Sequence, residues 1–197
     1  MKFSFLFLIT TSLLMASCQS LHNISQQQQM NSLQQYGLIK PAKQTIAMQL
    51  PVGMKYWKIA DQSITSKGIV IKTIPNEASS LADTNETIRT EIIPYANDPG
   101  LTARKLAEQA ITGAKKYCQQ IDGNIVNQNT QSVIYTLTAK KCTNGPDQIQ
   151  TTKIFNGIDA IYFTRYTAKI GFVSSAKLNA MSRVIRASRL IANPEYR

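Results

Sequence analysis

The sequence predicts an α+β fold, an antiparallel sheet of about five or six strands with one long helix packed across it and a basic amphipathic helix at the C-terminus. Three observations lead there. From Gln44 onward the chain breaks into short β-rich runs separated by turn residues. One stretch, 99–119, carries its apolar residues at helical spacing on a single face. Finally, Asn156-Gly157 stands between two apolar runs, and this dipeptide favours a two-residue type I′ hairpin turn.

Gln44 to Leu50 and Met54 to Ile59 read as strands on either side of Pro51-Val52-Gly53. Gly68 to Ile74 is a strand rich in β-branched residues that ends at Pro75-Asn76. Glu77 to Glu86 has few apolar residues and reads as an exposed loop. Thr87 to Tyr95 returns to strand, and Pro94, which cannot donate to a ladder, places its end near a sheet edge.

The helix follows. Asp98-Pro99 supply a cap and first turn. Ala103, Leu106, Ala107, Ala110, Ile111, Ala114, Tyr117 and Cys118 then form one continuous stripe, with Arg104, Lys105, Glu108, Lys115 and Lys116 largely off it. This is the pattern of a helix laid on a sheet, so the stripe is core. Beyond it, Val133, Tyr135, Leu137 and Ala139 alternate with Ile134, Thr136, Thr138 and Lys140, so one strand face can pack on the helix. Cys142 has the opposite parity; a bulge, or the end of regular strand, must turn its sulfur toward Cys118. Gln148 to Phe155 and Ile158 to Ile170 flank the Asn156-Gly157 turn, and the second is bulky on both faces, as a central strand is. A last helix, Ser175 to Ile191, has Leu178, Met181, Val184, Ile185 and Ile191 on one side and Arg183, Arg186 and Arg189 on the other. Those arginines are either solvated or meet an acidic partner or anionic headgroups.

The N-terminus gives an address. Lys2 precedes an almost uninterrupted apolar run, Phe3 to Met15, followed by the small pair Ala16-Ser17 and then Cys18. The run of thirteen residues is too short for a membrane span of about 20, and the order is that of a signal peptide, residues 1–17. Leu14-Met15-Ala16-Ser17-Cys18 resembles the lipobox of bacterial lipoproteins, with Met15 where Leu is more usual. The resemblance implies that Cys18 is diacylated and becomes the acylated amino terminus. By the same analogy Gln19, rather than Asp, sorts the chain to the outer membrane, facing the periplasm. Residues 18–43 form the lipidated N-terminus and a Gln-rich tether, polar enough to stay unpacked. A second reading has Met30, Leu33 and Leu38 on a short helix that docks on a partner. Residues 44–197 are the single domain.

Removing Lys2 leaves 21 basic residues against 11 acidic ones, a formal charge of +10. In the cytosol that balance would suggest nucleic acid; an exported, anchored chain meets the lipid bilayer and acidic partners instead, so no nucleic-acid partner is expected. With Cys18 consumed by lipid, Cys118 and Cys142 remain, an even number in a compartment where disulfides persist. Pairing is the simplest outcome, and two free thiols the other. The single histidine, His22, lies in the tether, which excludes a Ser-His-Asp or Cys-His arrangement in the domain. No metal motif, phosphate loop, cofactor or catalytic residue is expected. Asp159 braces the hairpin or belongs to a carboxylate pair. Trp57, Tyr135, Tyr162 and Tyr166 either stack on a sugar or fill the interior.

Lys105 to Lys169, with a helix ending in Cys118, a strand ending in Cys142 and Lys153-Ile154-Phe155-Asn156-Gly157-Ile158-Asp159-Ala160-Ile161-Tyr162, resembles small two-cysteine periplasmic domains of proteobacteria. The plan of lipobox, Gln-rich tether and compact α/β domain is similar to basic outer-membrane lipoproteins that decorate type IVB (Dot/Icm-type) secretion core complexes. The resemblance implies a non-enzymatic structural or accessory component of an envelope assembly, with protein partners. The alternative is a stand-alone binding module for cell-wall glycan or an acidic ligand.

Overall fold

A computed structural model describes residues 42–50, 56–65 and 68–194. Its elements are β1 (Gln44–Ala47), β2 (Trp57–Thr65), β3 (Gly68–Pro75), β4 (Glu86–Pro94), α1 (Ala103–Ala114), β5 (Cys118–Gln128), β6 (Ser132–Cys142), β7 (Gln148–Asn156), β8 (Ala160–Lys169), α2 (Ser175–Ala187) and β9 (Arg189–Ala192). Among the described residues, seven strands form one sheet in the order β2-β3-β4-β8-β7-β6-β5, while β1 and β9 pair separately. Every pairing is antiparallel. The α+β class stands. The sheet is wider than the five or six strands expected, and the helix is shorter.

Residue parity along β8 separates two faces. Ile161 and Phe163 join Val133, Tyr135, Leu137 and Ile154 in a cluster closed by Ala103 and Ala107 of α1. Tyr166 and Ala168 point the other way, into a cluster with Ile88 and with Met181, Val184 and Ile185 of α2. On that second face Phe155, Ala160 and Tyr162 are met by Ile46 of β1 and Leu190 of β9. The two helices therefore cover opposite faces. β8 lies in the middle of the sheet, as its two-sided bulk foretold.

The boundaries of α1 correct the sequence reading. The N-cap is Thr102, whose hydroxyl accepts from Lys105 N, and not Asp98. Asn156 Oδ1, on the neighbouring hairpin, accepts from Ala103 N at 2.9 Å, so two orphan amides of the first turn are satisfied. The helix stops at Ala114, where Lys116 N and Tyr117 N bond back to the carbonyls of Gly113 and Ala114. Cys118 then opens β5 instead of closing the helix. Gly123 of β5 lies beneath α1, since a Cβ there would come within 2.9 Å of Ile111 Cγ2.

Three further expectations change. Pro94 does not mark an edge: β4 runs between β3 and β8, and its proline is tolerated because it is the last residue of the strand. The β7–β8 connection is not a type I′ turn. Neither Asn156 nor Gly157 has a positive φ, and Gly157 N bonds to Ala160 O across a longer loop. Gly157 is required for closeness, because a Cβ would stand 2.4 Å from Cε2 of Tyr162. The last helix ends at Ala187 and not at Ile191. Ser188 caps it, its Oγ donating to Ile185 O at 2.6 Å, and residues 189–192 turn to strand against β1.

Candidate functional site

Cys18 and the lipobox lie outside the described residues. Cys118 and Cys142 face each other across β5 and β6 and are joined by a disulfide bond. The bond secures the start of an edge strand; it does not pin the end of α1. Lys141 answers the parity of Cys142: its φ of 52° is in the left-handed region, and Asp147 Oδ1 accepts from its amide at 2.8 Å. The sulfurs consequently share a groove with Leu137 and Ala139.

Arg183 and Arg186 are exposed on α2, whose apolar side is buried. Arg189 is exposed on β9, so the helical face holds two of the three expected arginines. The buried aromatics are core: Tyr135, Tyr162 and Tyr166 are almost fully enclosed, and Trp57 meets Tyr166 edge to face at 6.4 Å. No sugar platform forms from them. Asp159 is a brace, though of the chain's entry into the domain and not of the turn alone. Its Oδ1 accepts from Tyr162 Oη at 2.7 Å, and its Oδ2 from Lys43 N at 2.7 Å.

A row of charged side chains crosses the sheet on the face that α1 only half covers. Asp61, Lys72, Arg89, Arg165, Thr152 and Tyr135 are successive cross-strand partners from β2 to β6. Lys72 Nζ lies 2.7 Å from Asp61 Oδ2, and Arg89 Nη2 lies 2.6 Å from Glu91 Oε2. Arg165 differs. Its Nη2 donates to Tyr135 Oη at 2.8 Å and its Nε to Thr152 Oγ1 at 3.2 Å, both neutral oxygens. Among the described residues no carboxylate pairs with it. It also faces Arg89 directly, a like-charge opposition that disfavours the sheet. Phe163, two residues earlier on β8, is within reach of both, with the two guanidinium carbons 5.9 and 5.4 Å from its ring centre.

Beside Arg165 the sheet and the C-terminal turn of α1 border an open groove of about 450 Å³. Ala110, Ala114, Leu137, Ala139 and the disulfide give apolar walls; Gln148 and Gln150 add amides. Arg165 is the one charged residue among those that line it. An electropositive end against apolar walls suits recognition of an anion, and nothing in the lining is a nucleophile paired with a base.

A second network was invisible in the sequence. Glu86, assigned there to the end of a solvated loop, is 7% exposed and accepts from Tyr166 Oη at 2.8 Å and from Lys177 Nζ of α2. Burial, then the hydrogen bond to the Glu86 carboxylate, raises the Tyr166 phenol well above its ordinary range. Tyr162 is raised in the same way, by burial first and then by Asp159. Lys153 of β7 donates to the carbonyls of Arg186 and Ser188 at 2.7 and 2.6 Å, capping α2 with a cation whose pKa burial lowers.

No family model matches the chain, and no curated protein matches it. Among solved structures it is similar to LpqN of Mycobacterium tuberculosis, described as involved in cell envelope biogenesis. The TM-score is 0.46 at 15% identity, over 77% of this chain and 86% of that one. Among the described residues no helix is long and apolar enough to cross a membrane.

Proposed function

We propose that the chain is an outer-membrane-anchored periplasmic lipoprotein whose domain binds partners and catalyses nothing, serving as an accessory part of an envelope assembly. The observation that carries this reading is the Cys118–Cys142 bond in a chain whose residues 14–18 resemble a lipobox, since disulfides persist in exported proteins. The acylated Cys18 would hold the bilayer, and exposed Arg183 and Arg186 would meet acidic partners. The resemblance to accessory lipoproteins of type IVB secretion machines makes such a core complex the assembly to examine. Substituting Cys18→Ser should abolish fatty-acid labelling and release the protein from the membrane fraction. Unchanged labelling would sink the anchor. Co-purification of the tagged chain from detergent-solubilised membranes then decides the assembly role: a stoichiometric set of partners supports it. A lone monomer supports the second reading, a stand-alone binding module, which the groove beside Arg165 favours.

A further inference from the structure

We propose that the groove beneath the C-terminal turn of α1 is a binding site for a small amphiphile whose oxyanion, a carboxylate or a phosphate, is received by Arg165. This goes beyond the anchored, partner-binding role and does not depend on it. Three observations converge on the site. First, Arg165 is half-buried on the floor of the groove with no acidic residue in the lining, and its two hydrogen bonds end on neutral oxygens, so no carboxylate occupies its fork. A bound anion would add charge-assisted hydrogen bonds there, roughly twice as strong as neutral ones. Second, the neighbouring arginine is different: Arg89 already holds Glu91 in a two-point contact, so of the two opposed guanidinium groups only Arg165 lacks an anion. Third, the bonds to Tyr135 and Thr152 and the contact with Phe163 fix the plane of the Arg165 fork while leaving its other N–H donors open. That is the preorganised geometry that takes a carboxylate or phosphate at two points.

The rest of the ligand is read from the walls. Leu137, Ala139, Ala110 and the disulfide present apolar surface, while Gln150 can bond to a polar group close to the head. At about 450 Å³ the groove falls within the usual size range for small-molecule sites. If Arg165 served only to cover Phe163 and satisfy Tyr135, its charge would be irrelevant to any ligand.

The full-length protein is titrated with hexanoate, hexyl phosphate and hexan-1-ol, following amide chemical shifts and the thermal midpoint. At least one anion should bind, shifting Leu137, Ala139 and Gln150, and the alcohol should not. Preference between the two anions names the head group. Arg165→Gln should weaken that binding by on the order of tenfold or more, the loss expected of a hydrogen bond to a charged group. Arg165→Lys should retain part of it, and Arg104→Gln, in the first turn of α1 and outside the groove lining, should leave it unchanged. Equal binding of the alcohol, undiminished binding by a folded Arg165→Gln, or no binding of either anion overturns the proposal. Should Arg165→Gln fail to fold, Ala110→Leu fills the groove from the helix side with Arg165 intact. Binding that survives this substitution also overturns it.

Discussion

At the scale of single residues, stability in alkali depends on phenols that are protected from ionising. Tyr166 and Tyr162 have folded pKa values raised above the ordinary value of about 10, chiefly by burial and then by Glu86 and Asp159 respectively. A raised folded pKa means that the unfolded chain loses these protons first. The stabilising contribution is therefore complete below about pH 10 and is lost progressively above it. Lys153 acts in the opposite sense, because its lowered pKa makes folding easier as pH climbs toward its unfolded value, but it is one group against three, since burial raises the Tyr95 phenol as well. Urea midpoints should consequently fall between about pH 9 and about pH 11, and Tyr166→Phe should flatten the slope. A midpoint constant over that range in the wild type would show that the phenols are not protected. Glu86 itself illustrates what a sequence withholds: nothing in Asn85-Glu86-Thr87 distinguishes a buried ion from a solvated one. Its burial depends on Lys177 of α2, 91 positions away.

At the scale of elements, local pattern was a good guide wherever an element buries a continuous face. α1 follows its apolar stripe up to Ala114, and β6 presents Val133, Tyr135 and Leu137 to it in the register that alternation demands. β5 escaped notice because the alternation Ile121, Gly123, Ile125 is broken by a glycine, which must be small to admit Ile111. β9 has only four residues and is specified by pairing with β1 at the far end of the chain, which no local signal encodes. That pairing, with Ser188 and the Lys153 cap, ends α2 before Ile191, and it moves Arg189 off the helix. Arg183 and Arg186 stay exposed over a stripe that is already packed, so reversing both to Glu should shift stability by less than about 0.5 kcal/mol. The same double variant should weaken association with anionic vesicles or co-purifying partners, with a reduced dependence on salt. If every partner is retained and vesicle binding keeps its salt dependence, these arginines are merely solvated.

At the scale of the whole molecule, the sheet is covered unevenly. α2 and the β1–β9 ribbon pack on one face and α1 packs over β5, β6 and β7 on the other, leaving the cationic row of β3, β4 and β8 less covered and β5 as an edge. Sequence showed both helices but not that they take opposite faces, because the side each chooses follows from strand order and not from its own stripe. The edge is where cohesion is most local: among the described residues β5 has one strand neighbour, β6, and α1 packs against it. The Cys118–Cys142 bond closes a segment of sequence separation 24, and restricting the unfolded chain by such a loop contributes about 3 kcal/mol. Cys118→Ala with Cys142→Ala should therefore lower the unfolding free energy, read from the denaturant midpoint and slope, by an amount in that range. Because the bond joins the first residue of β5 to the last of β6, the loosening should be greatest there, with amide exchange accelerating in 118–125 before it does in β8. The groove beside Arg165 has the disulfide as one wall, so its ligand affinity should decline in the same variant. A midpoint indifferent to both the double substitution and to reductant would mean that α1 and β6 alone hold the edge, and that the bond adds nothing to the fold.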